Sequence, residues 1–299
     1  MSSIAFDPVS AGPDNGVLRH IAFVSRAAWS MLKASPKARQ AGRAIASAFK
    51  MPSGRLYFLR EKTCFVFVDA TMHIYRVPAT RRMIAQFESE YRIMDLVRPH
   101  LRVPIPQAEL IGSDPPIARY RAIPGQPLSR MIDTLRSRRQ TGWIDDLARA
   151  ILAVHDTPVP DYARPTTFVG DRMRLRRLLV GKGATGMAAE LETSSRLARA
   201  ALEGADTTAL CHGDLKGGNV LVDPATGRLA GLIDFGNAGF GARESDIAHT
   251  RLPEPEHEAL VRCYEARSGR RLDRDRLAAF VRFEQACHSA TRFCGRGDG

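Results

Sequence analysis

Leu210-Cys-His-Gly-Asp-Leu-Lys-Gly-Gly-Asn-Val-Leu-Val-Asp223, followed by Pro-Ala-Thr-Gly227 and then Arg-Leu-Ala-Gly-Leu-Ile-Asp-Phe-Gly236, decides how this chain is read. Pro224 to Gly227 is a turn, so Val220–Asp223 and Arg228–Ile233 are expected to pair as a hairpin. With Asp223 opposite Arg228, Asn219 falls opposite Leu232 and lies next to Asp234 at the open end of the hairpin. An amide oxygen and a carboxylate at one strand end make a hard oxygen pair of the kind Mg²⁺ takes while keeping phosphate oxygens as further ligands. Asp214, five residues before Asn219, enters from the preceding loop and stands beside the pair without having to bind the metal. Phosphoryl transfer needs that arrangement: a base that orients a hydroxyl, next to phosphates whose charge is neutralised. Taken singly, Asp214 and Asn219 read as loop caps and Asp234-Phe-Gly236 as a turn. Their order and spacing join them into one set.

Outward from this stretch the chain changes character twice. At ~150 residues per domain, 299 residues suggest two lobes. Residues 1–16 are rich in Gly, Pro, Asp and Asn. Apolar positions from Leu18 to Leu32 recur at helical spacing, and Ser35-Pro36 is an N-cap and first helical position for a second helix to about Phe49. Leu56–Leu59, Cys64–Val68 and His73–Val77 are β-branched and aromatic runs separated by short polar links, an antiparallel meander. A helix from about Thr80 to Val97 and two further strands lead to Ile123-Pro124-Gly125, the candidate hinge. Beyond it the pattern is helical over about 128–138, 143–155, 187–203, 255–267 and 273–292. The expected division is therefore an N-terminal helical extension (1–50), an N-lobe of sheet and helix (51–122) and a helical C-lobe (123–299).

Composition excludes several classes. Apolar residues are 44% and charged residues 25% of the chain, ordinary globular usage. No window approaches the ~18 apolar residues of a membrane span, and no basic-then-apolar leader opens the sequence. Five cysteines without a CxxC pair suit a reducing cytosol and offer neither a zinc site nor a disulfide framework, so a cytoplasmic location is expected. The net charge of +12 raises nucleic acid as a partner, but it is concentrated as +9 in residues 1–127, and 38 of the 44 basic residues are arginine. The densest run, Arg172 to Arg177, has no alternating aromatics on which bases would stack. Nucleic-acid binding is therefore set aside in favour of a solvated basic surface.

His212-Gly-Asp214-Leu-Lys216-Gly-Gly-Asn219, Ile233-Asp234-Phe-Gly236 and Asp246-Ile-Ala248 resemble the aminoglycoside phosphotransferase family of kinase-like enzymes. Ile123-Pro-Gly-Gln-Pro-Leu128, Ile151-Leu-Ala-Val-His155 and Tyr264-Glu-Ala-Arg-Ser-Gly269 agree, so the likeness runs from about residue 45 to 292. The resemblance implies an α+β fold of the bilobal protein-kinase type, with an antiparallel five-stranded N-lobe, a mainly helical C-lobe and ATP in its cleft. It implies transfer of the γ-phosphoryl of ATP to a hydroxyl of a small molecule, an aminoglycoside or other antibiotic first among the acceptors. It makes Asp214 the catalytic base, Asn219 and Asp234 the Mg²⁺ ligands, and Lys216 a cation near the phosphates. Arg76 takes the place of the phosphate-binding lysine with Glu90, or alternatively Glu88, as its partner, and the backbone of Arg121 and Ile123 meets the adenine. The loop Arg60-Glu-Lys-Thr63 lacks the expected glycines, leaving its basic residues and the Thr63 hydroxyl to cover the phosphates.

Three further readings frame that expectation. Gly181-Lys-Gly-Ala-Thr-Gly186 matches GxGxxG, but it follows an arginine-rich segment rather than a buried strand, so it reads as a loop between helices. A metabolite kinase with a choline-, homoserine- or sugar-type acceptor, or a non-catalytic kinase-like nucleotide-binding module, is the alternative. Glu254, Glu256 and Glu258 would suit a cationic acceptor, or else form the first turn of a helix favoured by its dipole.

Overall fold

A computed structural model describes residues 30–112, 114–165, 172–203 and 209–295. The expected helix over 18–32 lies, except for its last residues, outside that range. The chain forms two compact units.

The first unit contains the described residues up to Ile84 together with Ala108–Ala122. Its sheet holds β1 (Tyr57–Glu61), β2 (Cys64–Val68), β3 (His73–Pro78), β4 (Glu109–Ile111) and β5 (Ile117–Arg121) in the order β1-β2-β3-β5-β4, every neighbour antiparallel. The meander inferred from the sequence is thus present, with β2 buried along its whole length. Helix α1 (Pro36–Ala48) is capped by Ser35, whose Oγ accepts from the Ala38 N–H at 3.1 Å. The Ala/Ile face of α1 (Ala38, Ala41, Ile45) is buried in one apolar cluster with Leu56, Phe65, Phe67, Tyr75 and Val77. That packing corrects the expected division, because α1 belongs to the core of the sheet unit and is not a separate extension.

The second unit contains Ala85–Gln107 and everything described from Ile123 onward. Helix α2 (Ile84–Val97), expected with the sheet, therefore belongs here in all but its first residue. Gln86 Nε2 donates to the Gly236 carbonyl at 2.6 Å, and the segment after the helix is tied down by Leu232 N–H to Pro104 O at 3.1 Å. Helices α3 (Leu128–Ser137), α4 (Gly142–His155), α5 (Arg172–Gly181), α6 (Thr185–Glu203), α7 (Arg243–His249), α8 (Glu254–Ser268) and α9 (Arg274–Gly295) follow. Helix α4 packs on α8 and α9 on α6, burying Trp143, Leu147, Ile151, Leu260, Tyr264, Phe280 and Phe283. Two small antiparallel sheets sit among them: β6 (Gln126–Pro127), β8 (Val220–Val222) and β9 (Leu229–Leu232), and the pair β7 (Ala209–Cys211) with β10 (Gly239–Gly241). The GxGxxG stretch spans the end of α5, a short turn at Gly183 with φ of 73°, and the start of α6, so it joins two helices as expected. No helix among the described residues is long and apolar enough to cross a membrane.

The placement of α1 has a measurable consequence. Ile45 is fully buried, so Ile45→Ala should lower the unfolding free energy by about 2–4 kcal/mol through lost transfer energy and the cavity left behind. Urea denaturation followed by circular dichroism checks it; an unchanged midpoint would show that α1 is not part of the core.

Candidate active site

The loop 212–219 leaves β7 and enters β8. Across β7 lies β10, with Cys211 opposite Gly239, so the strand that follows Asp234-Phe-Gly236 braces the strand that precedes Asp214. At the first turn of the loop Gly213 has φ of 76°. A Cβ there would fall on the Asn237 carbonyl. Left-handed backbone and close approach together require glycine.

Asp246, on α7, holds this turn. Its Oδ2 accepts the His212 N–H at 2.7 Å and its Oδ1 the Gly213 N–H at 2.8 Å. Oδ2 also faces His155 Nε2 at 3.3 Å, and His155 Nδ1 is 2.8 Å from the Tyr264 hydroxyl. The Asp246 side chain is completely inaccessible. Burial pushes its pKa up, but the His155 hydrogen bond and the surrounding imidazoles outweigh that and bring it down from 3.8 to about 2. Burial pushes the His212 pKa down. Its Nδ1 accepts the Asp214 N–H at 3.3 Å, and its ring lies 4.2 Å from the Phe235 ring. His155, Cys211 and Asp246 present ligand atoms within 4.8 Å of one another. Both carboxylate oxygens there already serve the backbone, so the group reads as a clamp rather than a metal site.

Beyond the clamp, Asp214 Oδ2 takes hydrogen bonds from Lys216 Nζ at 2.5 Å and Asn219 Nδ2 at 2.9 Å. Asn219 Nδ2 also donates to the Asp214 carbonyl at 2.8 Å, so the amide nitrogen is committed to the loop and Oδ1 is its remaining polar atom. Gly217 fits the loop against α3: its carbonyl accepts the Ser129 N–H at 3.0 Å, and a Cβ would press on that same nitrogen. Asp234 adopts left-handed backbone, φ 69° and ψ 63°, with Phe235 fully buried behind it. A Cβ at Gly236 would lie 3.3 Å from Glu90 Oε2 and 3.6 Å from Asp234 Oδ1, so both carboxylates flank that glycine.

The sequence-derived residues are accounted for unit by unit. Asp214, Lys216 and Asn219 share one hydrogen-bonded cluster, and Glu90 and Asp234 share the Gly236 turn. The hairpin register differs from expectation by one residue: Val220 pairs with Leu232, and Asn219 O accepts the Ile233 N–H at 3.0 Å. A bulge that leaves Ala230 extra between Leu221 and Val222 causes the shift. Ile123 packs on Gly231, whose absent Cβ would lie 2.9 Å from Ile123 Cγ2. In the first unit Arg76 is buried on β3 with Nη2 3.9 Å from Cys64 Sγ, while Thr63 and Arg121 are exposed. Sequence reasoning assigned no role to Asp246 or His155; an acid embedded in apolar Ile247-Ala248 was the available signal. Two of the three clustered glutamates meet arginines: Glu256 forms a bidentate pair with Arg136 at 2.9 and 3.0 Å, and Glu258 lies 3.6 Å from Arg262 and 3.5 Å from Arg274, while Glu254 is exposed in the first turn of α8.

Comparison with known proteins fits this geometry. The sequence model of the phosphotransferase enzyme family matches residues 65–280. The streptomycin 3''-kinase of Streptomyces griseus is 33% identical over 144 residues, 43% of this chain and 50% of that protein. The aminoglycoside 3'-phosphotransferase of Streptomyces fradiae is 54% identical over 39 residues, 13% of this chain and 15% of that protein. The chain thus matches at most half the length of these curated relatives. Among solved structures, the GDP complex of aminoglycoside 2'-phosphotransferase-IIIa superposes with a TM-score of 0.63 at 17% identity, covering 88% of this chain and 94% of that one. The APH(3'')-Id phosphotransferase of Streptomyces rimosus in complex with ADP and streptomycin gives 0.57 at 21% identity, covering 82% and 97%. The α+β architecture, an antiparallel sheet unit and a mainly helical unit, is the kinase-like fold of these neighbours.

The clamp titrates in a defined direction. A carboxylate whose folded pKa is depressed contributes stability above its unfolded pKa and loses it as pH falls through the folded value. Asp246 should therefore contribute about 2 kcal/mol at neutral pH that disappears between about pH 4 and pH 2. Asp246→Asn should be less stable at pH 7 and show a flatter acid limb in urea titrations across that window. Parallel acid limbs for variant and wild type would remove Asp246 from this role.

Proposed function

Since this chain belongs to the phosphotransferase enzyme family, we propose that it transfers the γ-phosphoryl group of ATP to a hydroxyl of a small molecule. One observation carries the reading. Asp214, Lys216 and Asn219 form a single cluster on a glycine turn held by a buried carboxylate, with the Asp234 turn braced to it through β7 and β10. A scaffold without chemistry has no use for all of these.

In this mechanism Asp214 accepts the proton of the acceptor hydroxyl as its oxygen attacks, and it orients that hydroxyl before the attack. Its position is fixed by the Asn219 amide and by the Asp246 clamp one residue upstream. Lys216 brings a cation to the same carboxylate and so stands where the charge of a transferring phosphoryl would need neutralising. Asn219 Oδ1 and the Asp234 carboxylate are hard oxygen donors that fit Mg²⁺ and would hold it. When bound, the ion neutralises phosphate oxygens. In the first unit, Arg76 is the buried cation we assign to phosphate contact, where a guanidinium offers two parallel donors in place of a point charge. Thr63 and the backbone of Arg121 and Ile123 complete the proposed nucleotide contacts.

The acceptor follows from two observations that pull differently. The curated relatives are named for streptomycin and aminoglycoside phosphorylation, which favours a hydroxylated antibiotic. Glu256 and Glu258 are already paired with arginines, which leaves Glu254 alone of that cluster as an anchor for a polycation and favours a neutral acceptor, sugar-like or antibiotic. A phosphorylation panel of aminoglycosides, neutral antibiotics, choline, homoserine and sugars with labelled ATP separates them; labelling of peptides alone would end the small-molecule reading.

Two variants test the residues. Asp234→Asn should cost at least ~10³-fold in Mg²⁺-dependent turnover. Asp214→Ala should slow transfer ~10²–10⁴-fold while nucleotide affinity stays within a few-fold, because the carboxylate acts on the acceptor hydroxyl. Wild-type turnover in either variant would strike that residue from the site.

A further inference from the structure

A groove of the second unit lies at the other end of the β8–β9 hairpin from Asn219. It measures about 680 Å³ and is lined by α4, by the segment after α2 and by the start of β9. Since Asp223 and Arg228 bond at the turn end and Asn219 and Ile233 at the open end, the groove stands ~13 Å along the strand from the Asp214 cluster. Its volume is that of a small-molecule site. Val103, Ala150, Leu152, Ala153 and Leu229 give it an apolar floor, while Arg102, Arg149, Arg228 and Arg267 line it together with Asp146 and Asp156, and Asp145 lies behind Arg149 and Arg267.

These arginines are already oriented. Arg228 spends Nε and Nη2 on Asp146 at 2.7 and 2.6 Å. Arg267 spends Nε and Nη2 on Asp145 at 2.5 and 2.7 Å, and Arg149 adds Nη2 to the same carboxylate at 2.6 Å. A guanidinium carries five N–H donors, so each is locked by one edge and keeps another. Among the described residues the Nη1 groups of Arg149, Arg228 and Arg267 have no hydrogen-bond partner, Arg149 Nε is buried without one, and Arg102 makes no ion pair. Cations held in place by carboxylates meet a second anion without losing further side-chain entropy.

We infer that this groove is a binding site for a compact multivalent anion, a phosphorylated small molecule whose apolar body rests on the alanine and leucine floor while its phosphates meet the arginine edges. It is separate from the proposed transfer site and shares no residue with it. The probe is inorganic tripolyphosphate, titrated calorimetrically into the full chain at ~0.15 M salt, where surface charge is screened, with and without a saturating non-hydrolysable ATP analogue. Binding should persist beside the analogue. Arg102→Glu should weaken it at least tenfold, Ala153→Trp should abolish it by filling the floor, and Arg177→Glu, the same charge change on exposed α5, should leave it within twofold. Phosphotransfer by Arg102→Glu should match wild type. Absence of binding, loss of binding when the analogue is present, or equal weakening by Arg102→Glu and Arg177→Glu would each overturn the site. Because the groove variants are judged on anion binding, failure of the chain to turn over ATP would sink the proposed function and leave this result readable.

Discussion

A carboxylate with no access to water accepts two consecutive backbone N–H groups, and the candidate active site depends on that one interaction. The loop carrying Asp214 contains Gly213, Gly217 and Gly218, and glycine loses more conformational freedom on ordering than any other residue. Asp246 supplies what holds it, with hydrogen bonds of 2.7 and 2.8 Å to His212 and Gly213. Burying a charge is costly unless it is fully hydrogen-bonded. Here the remaining lone pairs face His155, itself fixed by the Tyr264 hydroxyl. The clamp therefore draws on α7, α4 and α8 at once, and the helical core can be understood as the frame that brings these three side chains to one point.

The second half of the site is set by a different constraint. The bulge in the β8–β9 hairpin shifts the register by one residue, so Ile233, rather than Leu232, meets Asn219. Asp234 then has to turn through left-handed backbone, which costs roughly 1–2 kcal/mol for a residue with a side chain. The burial of Phe235 against His212 keeps it there. His212 touches the clamp through its backbone N–H, Asp214 through Nδ1 and Phe235 through its ring face. His212 thus links the Asp214 loop and the Asp234 turn, and burial pushes its pKa down.

The elements visible in the sequence were those with strong local periodicity. Cys64–Val68 and His73–Val77 alternate or run as β-branched and aromatic stretches, and they became β2 and β3 almost to the residue. The helices over 128–138, 143–155, 187–203 and 255–267 agree within two residues at each end. What escaped depends on partners distant in the chain. Helix α7 is short and carries Glu244, Asp246 and His249, all buried; its polarity suggests a surface loop until the backbone it satisfies is known. Helix α5 is dense in arginine and hid its periodicity. The hairpin register departs from the expected one because of the bulge at Ala230, and the two units differ from the expected division because α1 packs with the sheet while all but the first residue of α2 belongs to the helical unit. Asp214, Asn219 and Asp234 were legible because their chemistry is confined to two short segments.

The chain bears +12 overall, yet in the second unit a set of its arginines holds carboxylates: Arg136 with Glu256, Arg228 with Asp146, Arg267 with Asp145, Arg251 with Glu284, Arg282 with Glu190 and Arg276 with Glu244. Most of these are exposed pairs worth no more than about 1 kcal/mol each in stability. Their effect is on recognition. A carboxylate engaged by one edge of a guanidinium is withdrawn from any incoming cation. On the proposed function, a polycationic acceptor would lose these carboxylates as anchors, whereas a neutral polyol would need only hydrogen bonds. The arginine-rich composition thus bears on acceptor choice through the carboxylates it occupies more than through the positive field it creates.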